Sequence, residues 1–318
     1  MKEKILGCLS KKNDYLSGDQ ISRHLGISRQ GLWKHIQELK DLGYEIVAVP
    51  HLGYRLESVP DRLFDFAVAH NLHTKFTGKK IYYSDYLDST NNLAMKLGME
   101  GAPSGTLVLA ESQGKGRGRL GRHWLSPKHK GIYLSLLLRP RISPSNSPLL
   151  TLMSAVSICE AVKEAIGLSV QIKWPNDVLV NNKKLAGILT EMSAEMDKVN
   201  FVVIGIGLNV NNDRKSLLPQ ATSLREARGE ELSRLDLLQG LLRRLEENYL
   251  LLEEGGARQI IDKWRGFTLT LGTRVRVAFQ DKYVEGQAAD IDSDGSLVIR
   301  KDSGLMQKIS SGDVISCR

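Results

Sequence analysis

The chain has 318 residues, 42% of them apolar and 25% charged, with a formal net charge of +8. That length suits two or three domains with sizeable cores, and the composition excludes disordered, fibrous and disulfide-stapled classes. No run approaches the ~20 consecutive apolar residues of a membrane span, no small-residue cleavage site follows the N-terminal stretch, and Cys8, Cys159 and Cys317 form no CxxC pair, so reduced thiols in the cytoplasm are expected, with no membrane partner.

Residues 1–60 are dense in helix signals. Ser17 and Gln20 stand in capping-box positions ahead of Ile21 and Leu25. Gly26 ends that helix, and Ser28 caps the next, which carries Leu32, Ile36 and Leu39 on one stripe and stops near Gly43. Two helices joined by a short Gly-containing turn match a helix-turn-helix. The strand-turn-strand pattern from Tyr44 to Leu56 adds a hairpin wing. Arg23, Arg29 and Lys34 lie between residues 20 and 37 without an acid, and the second helix would present Ser28, Arg29, Gln30 and Lys34 to DNA. A helical hairpin with a solvated charged face would show the same pattern, and the segment nets only +2.

Residues 61–77 read as a linker. Residues 78–268 alternate apolar strand-like runs, at 80–83, 106–110, 132–138, 170–174, 185–190 and 201–206, with helical patterns at 90–100, 149–166, 235–252 and 259–267. This predicts an α+β domain whose sheet is covered by helices. Short links such as Val178 to Lys184 favour hairpins and hence a mixed sheet. Residues 269–318 hold short strands with Gly/Asp turns, expected to form a small SH3-like β-barrel.

Four features carry chemistry. The first is Gly116-Arg117-Gly118-Arg119-Leu120-Gly121-Arg122-His123-Trp124, inside a stretch with six Lys/Arg and no acid from Lys115 to Lys130. Glycines let a backbone approach a ligand closely, the arginine forks suit carboxylate and phosphate, and Trp124 offers a flat apolar face. A plain basic loop or a nucleic-acid tail is the competing reading. However, the segment connects two predicted core strands, which favours an anionic small-molecule site. The second is Lys173-Trp174-Pro175-Asn176-Asp177, followed by Lys183-Lys184-Leu185-Ala186-Gly187-Ile188. It reads either as a simple turn or as a cation, a carboxylate and an amide converging at a hairpin mouth. The third, Gly205-Ile206-Gly207-Leu208-Asn209, marks close backbone approach in a strand, with Asn209 available to a phosphate or metal. The fourth, Asp88-Ser89-Thr90-Asn91-Asn92, is a helix N-cap whose hydroxyls and amides can also hold a neutral polar ligand.

Together with Gln113, these motifs resemble, in order and over nearly the whole chain, the biotin protein ligase family in its bifunctional ligase–repressor branch. The resemblance implies a winged helix-turn-helix, a catalytic domain like that of class II aminoacyl-tRNA synthetases, and a C-terminal SH3-like barrel. It implies that biotin reacts with ATP to give biotinyl-5′-AMP, and that biotin then passes to a lysine of a biotin carboxyl carrier protein such as that of acetyl-CoA carboxylase. Ser89, Thr90, Asn91, Gln113, Gly116 and Arg117 would hold biotin, Arg117 through its backbone. Arg119 and Lys184 would grip the carboxylate and α-phosphate. Arg122, Trp124, Asn176 and Asn209 would meet ATP, with Trp124 near adenine. Asp177 joins Arg119 and Lys184 as a catalytic group, either orienting the incoming amine or, with Asn209, placing Mg²⁺. A ligand-induced homodimer on operator DNA is implied for the repressor. A lipoate ligase or octanoyl transferase would lack the Arg-rich loop with Trp124 and the C-terminal barrel, and a purely DNA-binding descendant would not need Arg119, Lys184 and Asp177 together.

Overall fold

In the computed structural model, residues 1–10, 14–279 and 282–317 are described, and the chain divides into two compact units, Met1–Asn71 and Leu72–Arg318. The first unit begins with helix α1 (Lys2–Leu9), which buries Ile5, Leu6 and Leu9 and which the sequence reading had taken only as an apolar stretch. Helix α2 (Gly18–Leu25) has the full capping box, Ser17 accepting from Gln20 N and the Gln20 side chain accepting from Ser17 N. Gly26 follows at φ +66°, a left-handed turn that glycine adopts without a Cβ clash. Ser28 then caps helix α3 (Arg29–Asp41), whose Leu32, Ile36 and Leu39 are buried. Strands β1 (Glu45–Val49) and β2 (Gly53–Ser58) pair antiparallel as the expected hairpin. The stretch expected as a linker holds helix α4 (Asp65–Ala69), which buries Ala67 and Val68. Phe66 next to them stacks on Phe64 at 5.3 Å, so apolar packing continues past residue 60.

The second unit is built on a seven-stranded sheet. Its elements in chain order are β3 (Ile81–Ser84), α5 (Thr90–Met99), β4 (Thr106–Ala110), β5 (Gly131–Leu138), α6 (Pro148–Ile166), β6 (Gln171–Lys173), β7 (Asp177–Val180), β8 (Lys183–Ala194) and β9 (Val199–Asn209). The strand order is β3-β4-β5-β9-β8-β7-β6, with β3 parallel to β4 and every other pair antiparallel, so the sheet is mixed as expected. The hairpin link from Val178 overlaps β7, a four-residue strand too short to show as a period of its own. Helix α5 packs Ala94 and Leu97 on Val108, Leu137, Phe201 and Val203, each such apolar side chain contributing about 1.5–3 kcal/mol on burial. Helix α6 is buried nearly all round, because α8 (Arg234–Glu253) and α9 (Ala257–Phe267) cover it after the short α7 (Leu224–Arg228).

Two buried carboxylates fix this frame. Glu111, just past β4, pairs with Arg234 at 2.7 Å, both fully buried, and Arg234 also donates to the Gly131 carbonyl. Glu246 on α8 accepts from the backbone N–H groups of Phe76 and Thr77 at 2.9 and 2.8 Å. Burial pushes the Glu246 carboxyl up, but the N–H donors of residues 75–77 outweigh it and hold it below its ordinary value. Its contribution to stability is therefore complete above the unfolded-state pKa and is lost as pH falls through the folded one.

Strands β10 (Arg274–Phe279), β11 (Lys282–Ile291), β12 (Leu297–Arg300), β13 (Met306–Ile309) and β14 (Asp313–Cys317) form a five-stranded antiparallel sheet, ordered β13-β12-β11-β10-β14. Trp174 joins this sheet to the end of β6: its backbone N–H donates to Thr270 and its indole N–H to the Gly295 carbonyl, and the Trp174-Pro175 peptide is cis. Cys8 is half-buried and Cys159 is a buried free thiol, and the Cys317 side chain lies outside the described residues. Among the described residues no helix is long and apolar enough to cross a membrane.

Candidate functional site

A cavity of about 310 Å³ opens in the second unit where β5, β8 and β9 meet the start of α5. At one end lies a neutral network. Helix α5 begins here because Ser89 caps it, accepting from Asn92 N. Gln113 Oε1 then accepts from both the backbone N–H (2.8 Å) and the hydroxyl (3.1 Å) of Thr90, while Gln113 Nε2 donates to Ser126. Ser135 Oγ, on β5, lies 2.8 Å from Thr90 Oγ1 and donates to Asn91 Oδ1 at 2.6 Å. Asn91 Nδ2 donates to Glu191 on β8 at 2.7 Å. Ser89, Thr90 and Asn91 are buried. A Cβ at Gly205 would stand 2.1 Å from Asn91 Oδ1, so the strand glycine is what lets the amide lie on the sheet.

The other end is charged. The loop from Lys115 doubles back on itself, Gly118 N donating to Arg122 O and Trp124 N to Gly116 O, and turns over at Arg119–Gly121. This aims Arg119 inward: it donates to the Gly312 carbonyl at 3.0 Å and to Asn176 Oδ1 at 3.4 Å. Asp313 of the C-terminal sheet lies 3.5 Å from Arg119 and 2.6 Å from Arg122. Burial pushes the Arg119 pKa down and Arg122 adds to this, while Asp313 and Asp177 oppose it; an arginine remains charged throughout. Lys184 Nζ is 2.6 Å from Asp177 and sits over the Trp124 ring at 5.5 Å from its centre. Asn176 Nδ2 donates to the Ile188 carbonyl, which fixes the β7–β8 mouth.

Trp124 lies between the two ends. Gly187 and Gly207 face each other across β8 and β9, and Cβ atoms there would come within 3.0 and 2.4 Å of the indole. A glycine-floored trough thus seats a flat ring. The third wall is Leu217, Leu218, Gln220 and Ala221. Lys184 N donates to Gln220 O, Thr222 N donates to Lys184 O, and Asn209 Nδ2 donates to Thr222 O.

The cavity thus brings together Ser89, Thr90, Asn91, Gln113, Arg117, Arg119, Arg122, Trp124, Asn176, Asp177, Lys184 and Asn209. Gly116 is beside the lining, where a Cβ would meet Trp124 O at 2.7 Å. The Arg117 side chain reaches Asn92 Oδ1 at 2.6 Å and Glu191 at 3.3 Å. Sequence reasoning missed Ser135, Glu191 and Asp313, which no local motif marks. Among the described residues no cluster of three or more His, Cys, Asp or Glu could cage a metal ion. In the first unit, Ser28, Arg29, Gln30 and Lys34 are all exposed on α3. Arg29 pairs with Asp19 at 2.8 Å, and Arg23 binds the same carboxylate. These hydrogen bonds, Arg29 first, hold the Asp19 carboxyl below its ordinary value.

Three family models match the chain: an HTH domain over residues 2–55, the biotin/lipoate A/B protein ligase family over 83–209, and the biotin protein ligase C-terminal domain over 270–315. The chain is 42% identical to the bifunctional ligase/repressor BirA of Bacillus subtilis over 95% of its own length and 94% of that protein. This chain belongs to the biotin protein ligase family. It falls in the bifunctional ligase/repressor branch, being also 30% identical to the BirA of Escherichia coli over 96% of its length and 94% of that protein. The biotin protein ligase of Aquifex aeolicus, solved in complex with biotin and ATP, matches 76% of this chain and 99% of its own with a TM-score of 0.65 and 32% identity.

Proposed function

We propose that this protein is an ATP-dependent biotin protein ligase and a biotin-responsive repressor in one chain. The observation that carries the ligase half is a single cavity joining a buried neutral hydrogen-bond network to Arg119, Arg122 and Lys184. The neutral end, Ser89, Thr90, Asn91 and Gln113, matches the ureido ring of biotin, and Gly116 and the backbone at Arg117 close over it. Arg119 and Lys184 then bracket the point where the biotin carboxylate oxygen bonds to the α-phosphorus of ATP as the bond to pyrophosphate breaks. Fixed cations stabilise the negative charge of that transition state. Arg122, Asn176, Asn209 and Trp124 take the nucleotide side, and the apolar wall at Leu217 and Leu218 excludes water from the mixed anhydride.

Asp177 and Asn209, a carboxylate and an amide that both line the cavity, would hold a Mg²⁺ ion, which would supply charge neutralisation for the triphosphate. In the second half-reaction the carrier lysine's nitrogen bonds to the acyl carbon and AMP leaves. Asp177, 2.6 Å from Lys184, serves either that ion or the orientation of this amine. The carrier is a biotin carboxyl carrier protein, as of acetyl-CoA carboxylase.

We assign the finer architecture as 1–60 winged helix-turn-helix, 61–77 a connecting segment that carries α4, 78–268 a class II aminoacyl-tRNA synthetase-like catalytic domain, and 269–318 an SH3-like barrel, in a cytoplasmic protein. The repressor half uses α3 with Ser28, Arg29, Gln30 and Lys34, on an operator bound by a homodimer that biotinyl-AMP promotes. Labelled biotin, ATP and an acceptor carrier test the ligase: label must enter the carrier only when ATP is present. A gel shift tests the repressor, since operator affinity unmoved by biotin plus ATP removes the coupling.

A further inference from the structure

We infer that Trp33 is a specificity-determining residue of the DNA interface, seating its indole against a thymine methyl in the major groove. This rests on the DNA-binding reading of α3 given above. Trp33 is 56% exposed. It cannot serve the core, which α3 meets with Leu32, Ile36 and Leu39. It lies one helical turn from Arg29 and Gln30 and beside Lys34, so the four side chains form one surface.

The hydrogen bonding of that surface explains why an apolar group matters there. Arg29, the natural fork for a guanine, is bound to Asp19, which Arg23 shares. Ser28 Oγ accepts from Gly31 N. Gln30 and Lys34 have no side-chain partner among the described residues. The Gln30 amide is thus left to read bases together with the indole, and the Lys34 ammonium is left to meet phosphate. Glu38, the acid one turn beyond Lys34, is occupied by Lys2 and His35. The surface around Trp33 therefore presents cations and amides and suits a polyanion, and within a duplex the apolar feature of the major groove is the thymine methyl.

The test uses the full chain with biotin, ATP and Mg²⁺, and duplexes selected by it from a random pool. Trp33→Ala should lower the ratio of selected to scrambled-duplex affinity about tenfold and leave the salt slope unchanged. Trp33→Phe should keep most of the ratio. Lys34→Ala should instead weaken both duplexes and reduce the salt slope by about one. In the wild type, thymine-to-uracil replacement at one position per half-site should cost as much as Trp33→Ala, and should cost nothing more in that variant. Biotin transfer, to which Trp33 does not contribute, should be unchanged in every variant; wild-type affinity of Trp33→Ala for the scrambled duplex and an unchanged helical circular dichroism spectrum certify that the first unit is folded, and a loss of either overturns the inference. A Trp33→Ala chain with the wild-type ratio overturns the inference, as does a uracil loss undiminished in that variant. So does a loss matched by altered self-association without DNA, which would make the indole a contact between copies. A wild-type chain that selects no sequence removes the repressor reading itself, a distinct failure.

Discussion

At the Thr90 end of the cavity, hydroxyls and amides are bound to one another, Gln113 to Thr90 and Ser135 to Asn91, with the Glu191 carboxylate accepting from Asn91 at its margin. At the Lys184 end, charges are balanced by other charges of the protein, Lys184 by Asp177 and the two arginines by Asp313. The first arrangement is fixed before a ligand arrives, because a buried neutral network is rigid only when its members are satisfied. The second is built for exchange: a phosphate or carboxylate can take over a guanidinium or ammonium from an internal acid without leaving a cation unpaired and desolvated. The hydroxyl-and-amide end and the charged end of the cavity are thus separated in space and in kind.

Three substitutions would break or sharpen that contrast. Lys184→Ala should have the largest effect, lowering biotin-dependent pyrophosphate release by about 10²–10³-fold with little change in Tm, since a half-exposed ion pair contributes little stability. A rate within a few-fold of wild type would remove Lys184 from the chemistry. Gln113→Ala comes next. It strips the acceptor from a Thr90 N–H, so KM for biotin should rise by about 5–100-fold while KM for ATP stays put; equal changes in both would mean that the two ends are not separable. Asp313→Asn should be mildest, raising KM for ATP about two- to fivefold as Arg119 and Arg122 lose their anchor, with a smaller rise in KM for biotin, whose carboxylate only Arg119 of the two meets. Steady-state kinetics with each substrate varied in turn reads both.

The same contrast decides what the sequence made legible. The capping box at Ser17 and Gln20 and the caps at Ser28 and Ser89 depend on residues three apart, and they formed as expected. The Gly-Arg loop, the Asn176-Asp177 mouth and the Gly205–Asn209 strand each announce a special backbone, and the fold brings all three to one cavity. Asp313 was invisible because its meaning lies in arginines far away: Arg119 and the neighbouring Gly312 are 193 positions apart. Ser135 looked like one more residue of an apolar strand, and only the register of β5 beneath α5 makes it the hub of the network. Helices α1 and α4 went unread because eight and five residues give too little helical period to stand out.

The backbone of Lys184 is tied on both sides to residues 220 and 222, donating to one carbonyl and lending its own to the next amide. Two labile hydrogens, those of Lys184 and Thr222, are therefore closed off by the same pair of contacts. Deuterium should enter both positions at matching rates, and anything that clamps the wall at Leu217 and Leu218 should slow both together. The ammonium that stands over the Trp124 ring thus hangs from backbone that is tied to the wall at Leu217 and Leu218.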